Sequence, residues 1–497
     1  MLGANTDVLD QVAESLSADA QRMLDIRTLA QRAMFELQAG WNGPDLMHLT
    51  RQWEHEASPQ LAAASELLDS CAARLRAQST AQREASRGDG GGSSRFLGGM
   101  TQAPAPAATA VRTPLTSPPE HGSPGDNATW WRSLNQQQQQ QVIEQHPDWI
   151  GNRDGVTFTA RDQANRTLLI AGRALLVAER MRLEGDLAGN WFGGVFTNDD
   201  AALDHVKDKL AALAAIDKTL DKTGDRQLLL LDMSAERAQA AIARGNVDTA
   251  DNVAVFVPGL SANVADGLTA YDDTMGQLRH RAELESNRVN PTRAATAAVV
   301  TWIGYQAPQL GWDLIGDNSV ADDHAARNGA ALLVPFLQGI GAARDHDVHL
   351  TLLGHSYGST LAGLALRQNT GVDDVVFFGS PGFGTSHLQD LNLDGGHVYY
   401  IEARQDAVGD LGYFGIDPSH MAGIEHASAK GSTVVDPVTG EIRHFKEVIG
   451  HSSYLDDEST SQYNMSVVVA GVPDRRVHDG GEGVGDVLSW PVPGTYR

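Results

Sequence analysis

Cysteine is almost missing from this chain: Cys71 is the single one in 497 residues. One thiol makes neither an intrachain disulfide nor a cysteine-built metal site, and the redox compartment stays open. Long apolar runs are missing too. No stretch approaches the roughly 18 apolar residues of a membrane span, and no transmembrane segment is expected. Basic residues are scarce, 38 Lys and Arg against 63 Asp and Glu, for a net charge of -25. Phosphate backbones and anionic headgroups repel such a chain. This argues against a nucleic-acid partner and against electrostatic recruitment to membranes, and leaves solubility as the plain role of the acidity. The opening Met1-Leu2-Gly3-Ala4-Asn5-Thr6-Asp7 lacks the basic-then-apolar order of a secretory leader. The expected location is the cytoplasm, or the envelope or exterior by a route without a cleavable signal. What is present is length enough for two or three domains, one of them large.

Residues 5 to 38 contain no proline, and Val8, Val12, Leu16, Met23, Ile26, Leu29, Met34 and Leu37 keep helical spacing. Gly40-Trp41-Asn42-Gly43-Pro44 breaks this helix, and a second helical stretch runs from Asp45 to about Ser86, with Pro59 as a kink or restart. Two long helices around a Trp-x-Gly turn resemble the WXG-type hairpins exported by the type VII secretion systems of actinobacteria and firmicutes. The resemblance implies a partner hairpin of the same type. No Tyr-x-x-x-Asp/Glu follows the second helix, so the usual export tail of that family is absent from its expected place.

From Gly88 to about Asn127 the chain is dense in Gly, Pro, Ala, Ser and Thr. Such a composition buries too little apolar surface to offset its ordering entropy. The expected plan is a hairpin over 1–87, a flexible linker over 88–128 and a larger domain over 129–497. Gln136 to Gln141 is an uninterrupted glutamine run, but Leu134 and Val142-Ile143 flank it, which predicts a helix with a polar face.

Beyond residue 220, short apolar runs alternate with helix-length segments. The runs are Gln227–Leu231, Val253–Val257, Ala297–Ile303, Val348–Leu353, Val375–Phe378 and Val398–Glu402; helices are expected over Ala265–Glu285, Ala321–Ala343 and Tyr357–Arg367. This is the alternation of a mostly parallel sheet flanked by helices, an α/β class, preceded by the all-α hairpin. Functional loops in such sheets lie at the carboxyl ends of the strands.

One of those ends carries Gly354-His355-Ser356-Tyr357-Gly358. Gly-x-Ser-x-Gly between strand and helix is the pattern of a nucleophile elbow, in which the glycines let strand and helix approach closely around a lifted serine. A serine hydroxyl needs a base within hydrogen-bond reach and a third group to orient that base.

His146-Pro147-Asp148-Trp149-Ile150-Gly151-Asn152-Arg153-Asp154-Gly155, Arg161-Asp162-Gln163-Ala164-Asn165-Arg166, Val255-Phe256-Val257-Pro258-Gly259-Leu260, Thr301-Trp302-Ile303-Gly304-Tyr305, the Ser356 elbow and Phe378-Gly379-Ser380-Pro381-Gly382 occur in that order. Together they resemble an actinobacterial α/β-hydrolase family of undefined substrate, over about residues 130 to 460. The resemblance implies the α/β-hydrolase fold and a chain order of Ser, then Asp or Glu, then His. Asp406 follows the strand ending at Glu402, where the acid of this fold sits, with Asp410 and Asp417 as rivals in the same loop. Among His420, His426, His444 and His451, the last matches the family's terminal histidine. His355 is expected to support the elbow rather than act as base. The oxyanion of an acyl-transfer reaction would take backbone N–H groups from Tyr357 and, in the loop after the early strand, from Leu260.

The reading is a serine hydrolase of carboxylic esters, acting on a small-molecule or lipid ester through Ser356, His451 and Asp406. Alternatives are a type VII secretion-associated effector or envelope scaffold acting by partner binding, and an acyltransferase using the same three residues. No cofactor or metal is implied: His346-Asp347-Val348-His349 and Asp322-Asp323-His324 lack a zinc-site pattern, and the glycines near Gly90 and Gly384 lack a P-loop lysine or dinucleotide fingerprint.

Overall fold

The structure is a computed structural model that describes residues 115–189, 198–293, 295–309 and 323–479, apart from 407, 409–413, 415–417 and 437–438, together with scattered positions between 14 and 83. The chain divides into two compact units, Met1–Arg112 and Thr113–Arg497.

In the first unit every described position is helical. Arg27 Nε donates to Ser58 Oγ at 3.0 Å and Arg76 Nη2 to Ser17 Oγ at 2.9 Å. The pair that begins earlier in the chain, at Ser17, ends later, at Arg76, so the two helical stretches run antiparallel. The Trp41-x-Gly43 turn lies outside the described residues.

The second unit starts its ordered structure earlier than the composition suggests. Leu115 packs on a cluster built from Trp130, Trp131 and Val142, and Trp130 Nε1 donates to Thr116 O at 3.0 Å. Ser123 and Asp126 form a capping box that opens helix α1, Pro124–Ser133. The last residues of the expected linker are therefore anchored, because two tryptophans give them apolar surface to cover. The glutamine run forms α2, Gln136–Gln145, capped by Asn135 and buried only at Val142. The short α3, Pro147–Ile150, and the long helices α4, Phe158–Gly189, and α5, Asn198–Leu220, follow.

The sheet has eight strands: β1 Arg226–Asp232, β2 Gln239–Arg244, β3 Asn252–Val257, β4 Ala297–Ile303, β5 His349–His355, β6 Asp374–Phe378, β7 Val398–Ile401 and β8 Glu425–Ala427. Their spatial order is β1-β2-β4-β3-β5-β6-β7-β8. The pairs β1–β2 and β2–β4 are antiparallel and all others are parallel. The six apolar runs read from sequence are strands, while β2 and β8 carry no such run.

The central strands are buried on both faces, which is why they read as continuous apolar stretches. Val253, Val255 and Val257 face one core together with helices α7, His324–Ala343, and α8, Tyr357–Ala365. Ala254 and Phe256 face the opposite core with α6, Val264–Val289, and α9, Thr460–Val469. A two-stranded sheet, β9 Ser432–Val435 with β10 Ile442–Phe445, lies outside the main one. The winding direction reverses between β3 and β5, and a sheet of this kind opens its functional crevice at such a switch point. Among the described residues no helix is long and apolar enough to cross a membrane.

Candidate active site

The Ser356 turn leaves the carboxyl end of β5 and enters α8 at once. Ser356 has φ 53° and ψ -132°, a backbone conformation that costs a non-glycine residue on the order of 1–3 kcal/mol. The surroundings hold it there: Ser356 N–H donates to Phe378 O at 3.1 Å, and Ser356 O accepts from Ser359 N–H at 2.9 Å and from Ser359 Oγ–H at 2.5 Å. Gly358 has no room for a side chain, since a Cβ there would run into the backbone oxygen of Val257. Strand β3 and helix α8 thus touch through their backbones, as the Gly-x-Ser-x-Gly reading requires.

Three side chains meet at this turn. His451 Nε2 lies 2.8 Å from Ser356 Oγ, and His451 Nδ1 lies 2.9 and 3.0 Å from the two carboxylate oxygens of Asp406. The carboxylate of Asp406 is fully buried, whereas the His451 ring is partly exposed. Asp406 follows β7, and His451 lies beyond the β9–β10 hairpin. Their loops are fastened to each other by a parallel bridge between Arg404 and Ile449, with Gly450 N–H donating to Arg404 O at 2.9 Å. Burial pushes the Asp406 carboxyl up, but hydrogen bonds from His451 and Tyr454 and the charge of His451 outweigh it, leaving the group below its ordinary value and ionised. An ionised carboxylate on Nδ1 holds the proton there and leaves Nε2 free to accept one.

Gly379 follows β6 at φ +55° and packs against the site. A Cβ at this position would stand 2.9 Å from Asp406 Oδ2, 2.9 Å from Tyr454 Cε2 and 3.1 Å from His451 Nδ1. Ser380 Oγ lies 2.5 Å from Ser359 Oγ and accepts from Gly382 N–H.

The loop after β3 passes against the elbow from the other side. A Cβ on Gly259 would lie 2.7 Å from Ser356 Cβ and 2.9 Å from Tyr357 N. Tyr305 O–H donates to Pro258 O at 2.8 Å and Ser261 N–H to Pro308 O at 2.7 Å, which fixes the loop that carries Leu260. Tyr357 and Leu260 therefore sit on two backbones pressed together beside Ser356. Three of the four non-glycine residues with positive φ among those described, Ser261, Ser356 and Gln405, lie on these loops.

The other candidates lie elsewhere. His426 is on β8 against Tyr400, and His444 Nδ1 is bonded to Thr433 Oγ1 across the β9–β10 hairpin. His420 ends a short 3-10 turn. Asp410 and Asp417 fall outside the described residues. His355 stacks on the His451 ring at 4.9 Å and on Phe378 at 5.0 Å, and its Nε2 is 3.0 Å from His451 O. Burial and the neighbouring His451 charge push it down to about 4, so it is neutral and supports the elbow. His349 is bonded to Asp374, and Asp323 to Arg327. Among the described residues no group of three or more His, Cys, Asp or Glu is placed to hold a metal ion.

Sequence reasoning missed Tyr454. Its hydroxyl donates to Asp406 Oδ2 at 2.6 Å and accepts from Ala403 N–H at 2.8 Å. The signal available was its place three residues after His451.

Residues 234–416 match the family described as Alpha/beta hydrolase. An uncharacterized protein of Mycobacterium tuberculosis (strain ATCC 25618 / H37Rv) is 33% identical over 241 residues, covering 47% of this chain and 88% of its own. A second uncharacterized protein of the same strain is 30% identical over 405 residues, covering 73% of this chain and 58% of its own. A hyperthermophilic esterase from the archaeon Pyrobaculum calidifontis aligns at 12% identity over 59% of this chain and 96% of its own, with a TM-score of 0.30, too low to bear on the assignment. By its matched segment and its mycobacterial relative, this chain belongs to the alpha/beta hydrolase family.

Proposed function

We propose that the protein hydrolyses carboxylic esters through Ser356, His451 and Asp406. The observation that carries the reading is the continuous path from Ser356 Oγ to His451 Nε2 at 2.8 Å and from His451 Nδ1 to buried Asp406 at 2.9 Å. His451 Nε2 takes the Ser356 proton as Oγ bonds to the ester carbonyl carbon, and the carbonyl electron pair moves onto oxygen. The N–H groups of Tyr357 and Leu260 receive that oxyanion. Collapse breaks the bond to the leaving alcohol, which takes the proton from His451 Nε2. Water then repeats the sequence on the acyl-enzyme, releasing the acid and restoring Ser356. An alcohol in place of water would make the same residues an acyltransferase.

A fluorophosphonate probe tests the reading. Wild-type protein is expected to be labelled and Ser356→Ala not. Absence of labelling under conditions that label a control esterase would end the proposal. Hydrolysis of p-nitrophenyl esters of increasing acyl length then assigns the substrate range.

For the amino-terminal part we propose a WXG-like hairpin over 1–87, a linker over 88–128 and the hydrolase domain over 129–497. The antiparallel pairing of Arg27 with Ser58 and Arg76 with Ser17 supports the hairpin. All three proposed catalytic residues lie beyond residue 350, so a chain starting at Thr113 is expected to keep ester hydrolysis within about twofold, a difference of less than 1 kcal/mol. A loss of more than tenfold would refute this division of labour.

A further inference from the structure

We infer that Tyr454 is a positioning residue for the acid and base: it ties Asp406 to the segment that carries His451 and shares the charge of the carboxylate with the imidazole. The inference rests on the proposed roles of Ser356, His451 and Asp406. Three observations carry it.

The first is geometry. The Tyr454 hydroxyl is an acceptor for Ala403 N–H at 2.8 Å and a donor to Asp406 Oδ2 at 2.6 Å, so one oxygen bridges the end of β7 and the acid three residues further on. A hydroxyl has one proton to donate. With Ala403 N–H pointing at its oxygen, that proton is directed to the carboxylate.

The second is connectivity. Tyr454 follows His451 by three residues and is itself buried. Its ring lies 5.6 Å from Phe378 and 6.0 Å from His355, whose own ring stacks on His451 at 4.9 Å. Rotation of the 451–454 segment therefore breaks the bond to Asp406 and the ring packing together.

The third is the balance of donors at Asp406. The carboxylate receives His451 Nδ1–H, the Tyr454 hydroxyl, and Val408 N–H at 3.0 Å on Oδ1. His451 sits within reach of both oxygens, whereas Tyr454 takes Oδ2 alone. The tyrosine thus competes with the histidine for Oδ2 and limits how strongly Asp406 holds the imidazolium. Burial and the adjacent carboxylate raise the phenol far above its ordinary range, so it stays a donor throughout the working pH range.

The direction of the effect follows. With the phenol removed, Asp406 loses one of its donors and holds a positively charged partner more strongly. The acid is also less firmly held, and the orienting bond to Nδ1 loses definition.

The test is Tyr454→Phe, which keeps the ring, read by steady-state ester hydrolysis across pH, by fluorophosphonate labelling rate and by thermal unfolding. Loss of one hydrogen bond to a charged group corresponds to about a tenfold effect. The expected result is kcat down about tenfold with KM unchanged within about twofold, and the acid limb of kcat/KM moved to higher pH. Site-specific fluorotyrosine at 454 keeps the hydroxyl and the packing but makes it a stronger donor; it is expected to move the acid limb down, and it serves if the phenylalanine variant does not fold. A variant that unfolds at lower temperature yet keeps wild-type kcat and an unmoved acid limb would overturn the inference, as would a fluorotyrosine protein with an unmoved limb. Failure of the wild type to label would instead overturn the proposed function, so the two failures are distinguishable.

Discussion

Replacing Gly379 by alanine should damage activity far more than its one added carbon suggests. The glycine has φ +55°, where a Cβ costs roughly 1–2 kcal/mol in backbone conformation alone. The carbon would also stand 2.9 Å from Asp406 Oδ2, 2.9 Å from Tyr454 Cε2 and 3.1 Å from His451 Nδ1, the first two so close that something must shift. Asp406 and Tyr454 are almost wholly buried and have little space to withdraw. Overpacking of this kind typically costs about 1–3 kcal/mol. The sum is about 2–5 kcal/mol of stability, measurable as a lowered midpoint in urea unfolding. The chemical loss is larger, because the least costly escape is for the carboxylate and the imidazole to part. A displacement near 1 Å of a catalytic group costs on the order of 100-fold in rate. Ester hydrolysis by Gly379→Ala, measured as kcat/KM on the best p-nitrophenyl substrate, is therefore expected to fall by about two orders of magnitude. Wild-type turnover and midpoint would refute the argument that position 379 presses on the acid–base pair.

His355 ties stability to pH. It is pushed from 6.5 to about 4 by burial and by His451, so between those values the unfolded chain binds a proton that the folded chain refuses. Stability should fall as pH drops through that window, by about 3 kcal/mol in full; His355→Gln should lose less Tm between pH 7 and pH 4.5 than wild type, and an equal loss would refute the assignment. Asp272 meets Arg226 Nε and Nη2 at 3.0 and 2.9 Å with both side chains buried. Asp272→Ala strands the guanidinium and should cost about 3–5 kcal/mol, read as a shifted urea midpoint; a shift worth under 1 kcal/mol would show that Lys222 O and Thr223 O suffice for Arg226.

The parts of the fold legible in the sequence are those in which burial dictates composition. Val253–Val257 and Ala297–Ile303 are covered on both faces and so read as apolar runs. Strand β2, Gln-Ala-Ala-Ile-Ala-Arg, is equally buried but built of alanine, which carries no strand preference. It is specified by pairing on both sides with β1 and β4, which no local pattern records. At the candidate site the serine turn was legible because its glycines answer a steric demand at fixed spacing. Asp406 and His451 are singled out by chain order after strand ends and by resemblance, with Asp410, Asp417 and three other histidines as rivals. Tyr454 could not be reached in that way. A buried tyrosine acting through one hydroxyl proton leaves no periodic trace, and only the meeting of the 403–406 and 451–454 segments gives it a role.

The bridge between Arg404 and Ile449 bears on how this protein can change over time. It pairs the residue two positions before Asp406 with the residue two positions before His451, as a zip holds the mouth of a bag whatever the bag contains. The β9–β10 hairpin lies between the two bridge residues, so a change in the length of that hairpin leaves residues 404 and 449 themselves in place. The separation of the Asp406 and His451 backbones is thus set where the two segments pair, and not by the length of chain that joins them.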